Sequence, residues 1–173
     1  MRLRLLAAAA SLLYLAGFLD ASGGEGRAAA IHFAGNRSAT FEEVLAAAFA
    51  DAAAWLRRDP CVRLLSEFRD LAGRPLARRL EEIGLSAEGF LSELVVVDGD
   101  RRTLCQSSRV LAGTRPGSRE IVFCGRRFVR TRMQNRELAA AIVIHEELHA
   151  LGLGENPPTT EEITERVLEM CRR

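Results

Sequence analysis

The chain has 173 residues, with 24 basic and 23 acidic side chains and 48% apolar residues. This suits one domain with a packed core and excludes collagenous, low-complexity and intrinsically disordered classes. A formal net charge of +1 argues against a dedicated nucleic-acid binder, because counterion release needs a clustered excess of cations. The charges are unevenly spread. Residues 101–136 hold ten Arg and one acid, Glu120, whereas residues 137–169 hold eight Glu and one Arg, Arg166. Two readings stay open: stretches solvating opposite sides of one domain, or a basic substrate-contacting rim beside an electronegative metal site.

In chain order, Arg2 and Arg4 precede the apolar run Leu5 to Leu19, which gives way to Ala21-Ser22-Gly23-Gly24. This is the layout of a secretory signal peptide, with cleavage expected after Gly23 and a single mature domain over 24–173. The run is short for a permanent bilayer span of about 20 residues, so no stable membrane insertion is expected after cleavage. The expected location is secreted or periplasmic. Export favours disulfides, and Cys61, Cys105, Cys124 and Cys171 are even in number,. The preferred pairing is Cys105–Cys124, stapling neighbouring extended segments, with Cys61–Cys171 tying the C-terminal helix to an early one. The absence of any Cys-x-x-Cys argues against a cysteine-based zinc site.

Ile31 to Phe33 reads as a short strand. Thr40, followed by Phe41-Glu42-Glu43, has capping-box spacing and opens an Ala-rich helix to about Arg58, stopped by Pro60. Further helices are expected over Val62 to Ala72 and Pro75 to Ile83, the latter ended by Gly84. Ser86 is placed to cap another through Leu94. Leu94 to Val97 reads as a strand before Asp98-Gly99-Asp100. Glu120 to Phe128 reads as a second strand, while Leu104 to Leu111 is ambiguous. Apolar spacing predicts a helix over Leu138 to Leu153, and Thr159-Thr160 introduces a last helix over Glu161 to Met170. The fold class is therefore α+β, mostly helical with a small mixed or antiparallel sheet beside the long helix.

That helix carries His145-Glu146-Glu147-Leu148-His149, an HExxH sequence. Histidines four apart share one helix face, so both imidazoles can reach a single cation. Glu146 projects about 100° round the helix, where it can hold a metal-bound water without being a ligand. Leu138 and Ile142 continue the histidine face, so the rings are expected to point toward a cleft. A buried imidazole pair without partners is costly, and a metal ion removes that cost. Zn2+ suits two neutral imidazoles and a carboxylate with one position left for water.

The stretch resembles the zincin metallopeptidases. Continuing to Gly152 and Glu155, it reads HExxHxxGxxE and looks like the extended metzincin motif with Glu in the last place. A Gly at the helix end can adopt the left-handed conformation that returns a residue three positions later toward the metal. By similarity, His145, His149 and Glu155 are metal ligands and Glu146 is the general base. The gluzincin-like alternative draws the third ligand from Glu162 or Glu165 on the following helix, leaving Glu161 as an N-terminal acid favoured by the helix dipole. Met170 lies near the end of a predicted helix, beside Cys171, so the Met-turn of metzincins is not expected, and by similarity the segment Glu120 to Cys124 is the candidate substrate-pairing strand.

The resemblance implies an exported zinc metallopeptidase that hydrolyses peptide bonds in a peptide or protein substrate. The alternatives are an exported zinc-binding domain without catalysis and a zinc amidohydrolase acting on cell-wall material. The only tyrosine, Tyr14, falls in the expected signal peptide. A tyrosine oxyanion donor is therefore excluded, and an Arg of the basic segment or His32 is the candidate in its place.

Overall fold

Eleven elements build the described part of the chain, a computed structural model covering residues 31–35 and 38–172. The expected signal peptide lies outside these residues. Strand β1 (His32–Ala34) is followed by four helices, α1 (Ala39–Leu56), α2 (Asp59–Glu67), α3 (Leu76–Ile83) and α4 (Ala87–Leu91). Then come β2 (Val95–Asp98), β3 (Ala112–Thr114), β4 (Glu120–Phe123), α5 (Gly125–Gln134), α6 (Arg136–Ala150) and α7 (Thr160–Cys171). The result is an α+β fold, with the sheet ordered β1-β2-β4-β3. β1 and β4 run parallel to β2, and β3 runs antiparallel to β4. The α1–α4 stretch is thus the crossover that a parallel β1–β2 pair requires.

Helix boundaries follow local chemistry, and several differ from the sequence reading. Ser38, not Thr40, caps α1, its side chain accepting from the Phe41 amide. Pro60 does not simply end a helix. It sits in the first turn of α2, where its missing N–H costs nothing,. Helix α2 stops at Glu67 because the next residues turn back, with Arg69 bridging Pro75 and Asp70 bridging Leu153. Ser86 does cap α4, but that helix ends at Leu91 and frees the following residues for β2. Strand β4 ends at Phe123, so the expected strand to Phe128 is instead a short strand followed by the unanticipated helix α5. Thr103–Gln106, inside the ambiguous stretch, is a 3-10 turn.

Helix α6 is the axis of the molecule, packed by α1, α5 and α7 and approached by β3 and β4. Ala139, Ala140, Ala141, Val143, Ile144 and Leu148 are buried around it, so only one stripe of the helix remains for a cleft. Small alanines at its start allow close helix approach. Phe49 of α1, Phe123 of β4 and Phe128 of α5 fill the space between layers, the last two rings meeting edge-on at 4.7 Å,.

Two disulfides brace this frame in the expected pairing. Cys61–Cys171 joins α2 to the end of α7, and Cys105–Cys124 ties the 3-10 turn to the residue after β4. With sequence separations of 110 and 19 residues, loop-closure entropy assigns them roughly 5 and 3 kcal/mol. No described helix is long and apolar enough to cross a membrane. Disulfide bonding accords with an oxidising, extracytoplasmic compartment.

Candidate metal centre

Helix α6 starts with Asn135, whose side-chain oxygen accepts from the Leu138 amide at 2.9 Å, and its last two turns carry His145, Glu146 and His149. The helix ends at Leu151 in right-handed conformation. Gly152 then takes φ = +115°, a backbone state that side-chain-bearing residues rarely occupy. A Cβ there would also meet the Asp70 Cβ at 3.1 Å. The Leu71 amide donates to the Gly152 carbonyl, and Leu153 bridges Asp70. Clamped this way, the chain reverses and delivers Glu155 back to the histidines.

The three groups converge. His145 Nε2 and His149 Nε2 lie 3.0 Å apart, and Glu155 Oε1 is 3.7 Å from the first and 3.3 Å from the second. Both imidazoles are buried, whereas Glu155 remains partly exposed. His145, His149 and Glu155 therefore form a group that could hold a metal ion.

The outer ring nitrogens determine the tautomers. His149 Nδ1 lies 2.7 Å from the Leu153 carbonyl oxygen, which only accepts, so Nδ1 carries the proton. Thr164 Oγ1 donates to the Thr160 carbonyl at 3.0 Å, so at 3.0 Å it accepts from His145 Nδ1–H. Each neutral ring then presents a bare Nε2 lone pair to the other. Two lone pairs facing at this distance repel, and a cation between them removes the repulsion. A proton fills that role poorly: burial, reinforced by the charge of His149 and opposed by Glu155, lowers His145 to about 4,. Burial on its own raises the Glu155 carboxyl, but the hydrogen bond from Thr160 Oγ1 and the charges of both histidines outweigh it, leaving the group below its ordinary value. The carboxylate is thus ready as an anionic donor.

Glu146 stands beside the cluster without belonging to it. It is 4% exposed, and its Oε2 has no hydrogen-bond partner. Burial pushes it up to about 8; the Thr114 hydroxyl opposes that shift and the Glu155 charge adds to it,. Thr114 Oγ1 of β3 is likewise buried and without a partner. Both residues line a cavity of about 980 Å³, together with Ile142, His145, His149 and Glu155. A buried carboxyl with an unmet oxygen, beside a cluster that could hold a cation, is the kind of perturbed group that marks functional sites,. Glu147, next in sequence, does not line this cavity. It is fully buried, neither of its oxygens has a partner, and burial raises its carboxyl well above the ordinary range.

The structure separates the residues that the sequence left as alternatives. Glu162 closes a capping box with Thr159, accepting from the Thr159 amide at 2.8 Å. Glu165 lines a different surface hollow together with Glu67, Arg166 and Glu169. Neither approaches the histidines, and Glu155 is the carboxylate that does. Glu161, in the first turn of α7, also borders the cavity. His32 lies on β1, the edge of the sheet opposite β3, and is removed from consideration as an oxyanion donor. Met170 sits six residues beyond Thr164 on α7, about 9 Å along the axis, and Met133 is 75% exposed; neither forms a floor under the cluster.

The cleft-bordering strand is also corrected. β4 is enclosed between β2 and β3, so it cannot accept another strand. β3 is paired only on its β4 side, and Ala112, Gly113 and Thr114 all line the cavity. Sequence reasoning also missed Thr114, Thr164, Thr160 and the Leu153 carbonyl. Their roles depend on which strand and helix face α6, for which no local pattern exists.

Comparison with protein-family models, curated proteins and solved structures gave no match.

Proposed function

We propose that this chain is an exported zinc-dependent metallopeptidase of the zincin type, with His145, His149 and Glu155 as metal ligands and Glu146 as general base. The observation that carries the reading is the convergence of two bare Nε2 lone pairs and the Glu155 carboxylate, beside the buried carboxyl of Glu146. The donor set suits zinc. The 3.0 Å separation of the two Nε2 atoms is within the span of two Zn–N bonds of about 2.0–2.1 Å,. Two imidazoles and one carboxylate leave a position open, as catalytic rather than structural zinc sites do. Oriented Nδ1–H groups, bonded to a hydroxyl and a carbonyl, are the outer support such ligands require.

When bound, the metal would polarise the scissile carbonyl and acidify the attacking water. The remaining work falls to this chain. Glu146 accepts the water proton at its carboxylate and returns it to the leaving amine. Its burial raises its basicity toward neutral pH, and an adjacent cation would draw it back toward the ionised form that the base needs. The Thr114 hydroxyl, near enough to oppose the upward shift of that carboxyl, favours the same ionised form. The free side of β3 offers main-chain groups to an extended peptide, which would lie across the cleft as an added strand.

The test is Glu146→Gln. The variant should bind one zinc per chain and cut no member of an unbiased peptide library that the wild type cleaves, with kcat reduced at least 100-fold. If the zinc-loaded wild type cleaves nothing and zinc removal unfolds it, the metal is structural and the peptidase reading fails.

A further inference from the structure

The cavity wall facing the metal cluster is basic. Arg101 and Arg102 follow β2, Arg109 precedes β3, Arg115 follows β3, and all four line the cavity. Arg102 is neutralised by Glu120 at 3.0 Å. The guanidiniums of Arg101, Arg109 and Arg115 have no ionic or hydrogen-bonded partner among the described residues, although most arginines elsewhere on this surface are paired with an acid or a carbonyl. Of the five arginines without a side-chain partner among the described residues, these three border one concavity, while Arg63 and Arg130 lie elsewhere.

On the opposite side, Glu155 is committed to the histidines, and Glu146 and Glu161 are the other acids lining that end. A divalent ion bound there would offset two of these carboxylates, so the arginines would set the net charge of the cleft. A low-dielectric cleft concentrates such a field and attracts anions. The basic wall is also held in place. The Cys105–Cys124 disulfide and the Arg127 guanidinium, which donates to the Cys105 and Ser107 carbonyls, pin the 3-10 turn between Arg102 and Arg109. At the other end, the Gly117 amide donates to the His149 carbonyl at 2.8 Å, fixing the turn after Arg115 to the end of the metal-binding helix.

We infer that the cleft selects peptides carrying carboxylate side chains, which Arg101, Arg109 and Arg115 bind on either side of the scissile bond. This rests on the peptidase reading and specifies its substrate class. Guanidinium suits the task because its planar fork matches a carboxylate bidentately. Arg109 and Arg115 are six positions apart, at most about 20 Å of extended chain. The contacts accordingly read acidic residues within a span of at most about six substrate positions. Leu104, Val110 and Ile142 line the same cavity and leave room for apolar residues between them.

The experiment uses zinc-loaded Glu146→Gln protein and fluorescein-labelled decapeptides in matched pairs, one rich in Asp and Glu, the other with Asn and Gln at those positions. Anisotropy should show the acidic peptide binding about tenfold more tightly in low salt, the gap closing in 0.5 M NaCl. Arg109→Glu and Arg115→Glu should abolish or reverse the preference, and Arg109→Lys should retain part of it. Arg130→Glu, on the exposed face of α5 outside the cleft, makes the same change in net charge and should leave the preference intact. Equal binding of the paired peptides, or equal loss in Arg130→Glu, overturns the inference. Wild-type protein that cleaves both peptides at the same kcat/KM refutes this selectivity and leaves the peptidase reading standing. Selective binding without any cleavage does the reverse.

Discussion

Replacing Glu146 by glutamine removes a carboxyl that the fold buries without satisfying, so the metal-free variant should be more stable than the wild type, and increasingly so as pH rises. Below pH 4.5, the ordinary value, folded and unfolded chains both hold the proton. Between 4.5 and about 8 only the unfolded chain releases it, so wild-type stability declines across this window and levels off above it. At 1.36 kcal/mol per pKa unit the cost is about 3 kcal/mol at pH 7 and approaches about 5 kcal/mol above pH 8. Glutamine still buries an amide with one unmet hydrogen bond, returning about 1–2 kcal/mol. A net gain of about 2 kcal/mol at pH 7 corresponds to roughly 6 °C in Tm for a domain of this size. Urea unfolding in EDTA at pH 5, 7 and 8 reads it directly. His145, lowered to about 4, contributes the opposite slope between pH 6.5 and 4, but it is present in both proteins and cancels in the difference. A stability difference that does not change with pH would show that Glu146 is solvated or paired, and the argument from its burial would fail.

Other substitutions follow the same logic. Gly152→Ala forces a side chain into φ = +115° and against Asp70, so it should displace Glu155 and weaken zinc binding about tenfold by chelator competition, the equivalent of 1–3 kcal/mol of backbone strain. His145→Ala and His149→Ala should lose zinc and Glu155→Gln should weaken it, whereas Glu165→Gln should match the wild type; loss of zinc in Glu165→Gln alone would reassign the third ligand. Thr164→Val removes the acceptor for His145 Nδ1–H and should cost about 10-fold or more in zinc affinity with little change in fold, checked by circular dichroism. Glu147→Met replaces a partnerless buried carboxyl with an apolar side chain of similar length and should raise the metal-free Tm; a fall in Tm would mean that Glu147 has a partner.

The convergence of His145, His149 and Glu155 was legible because its code is local. Helical periodicity puts His145 and His149 on one face, and a glycine able to adopt positive φ lets Glu155 return. The same local chemistry foretold the Thr159-introduced helix and both disulfides. Boundaries failed where two signals compete. Pro60 ends one helix by starting another, and Val122, Phe123 and Phe128 look like a continuous strand although Cys124 breaks it and Gly125 opens α5. The identity of the cleft-bordering strand was beyond reach, since β3 is only three residues long, Ala112-Gly113-Thr114, with little apolar pattern. Its place at the sheet edge comes from long-range pairing with β4. Thr114 and Thr164 were missed for the same reason, because a hydroxyl's partner is set by topology.

The most direct test is the metal's environment in zinc-loaded protein, read by anomalous X-ray diffraction. The account predicts one zinc peak bonded to His145 Nε2, His149 Nε2 and a Glu155 oxygen, with the Glu146 carboxylate adjacent but not bonded. A zinc held elsewhere, or two imidazoles that diverge when the metal is offered, would contradict it.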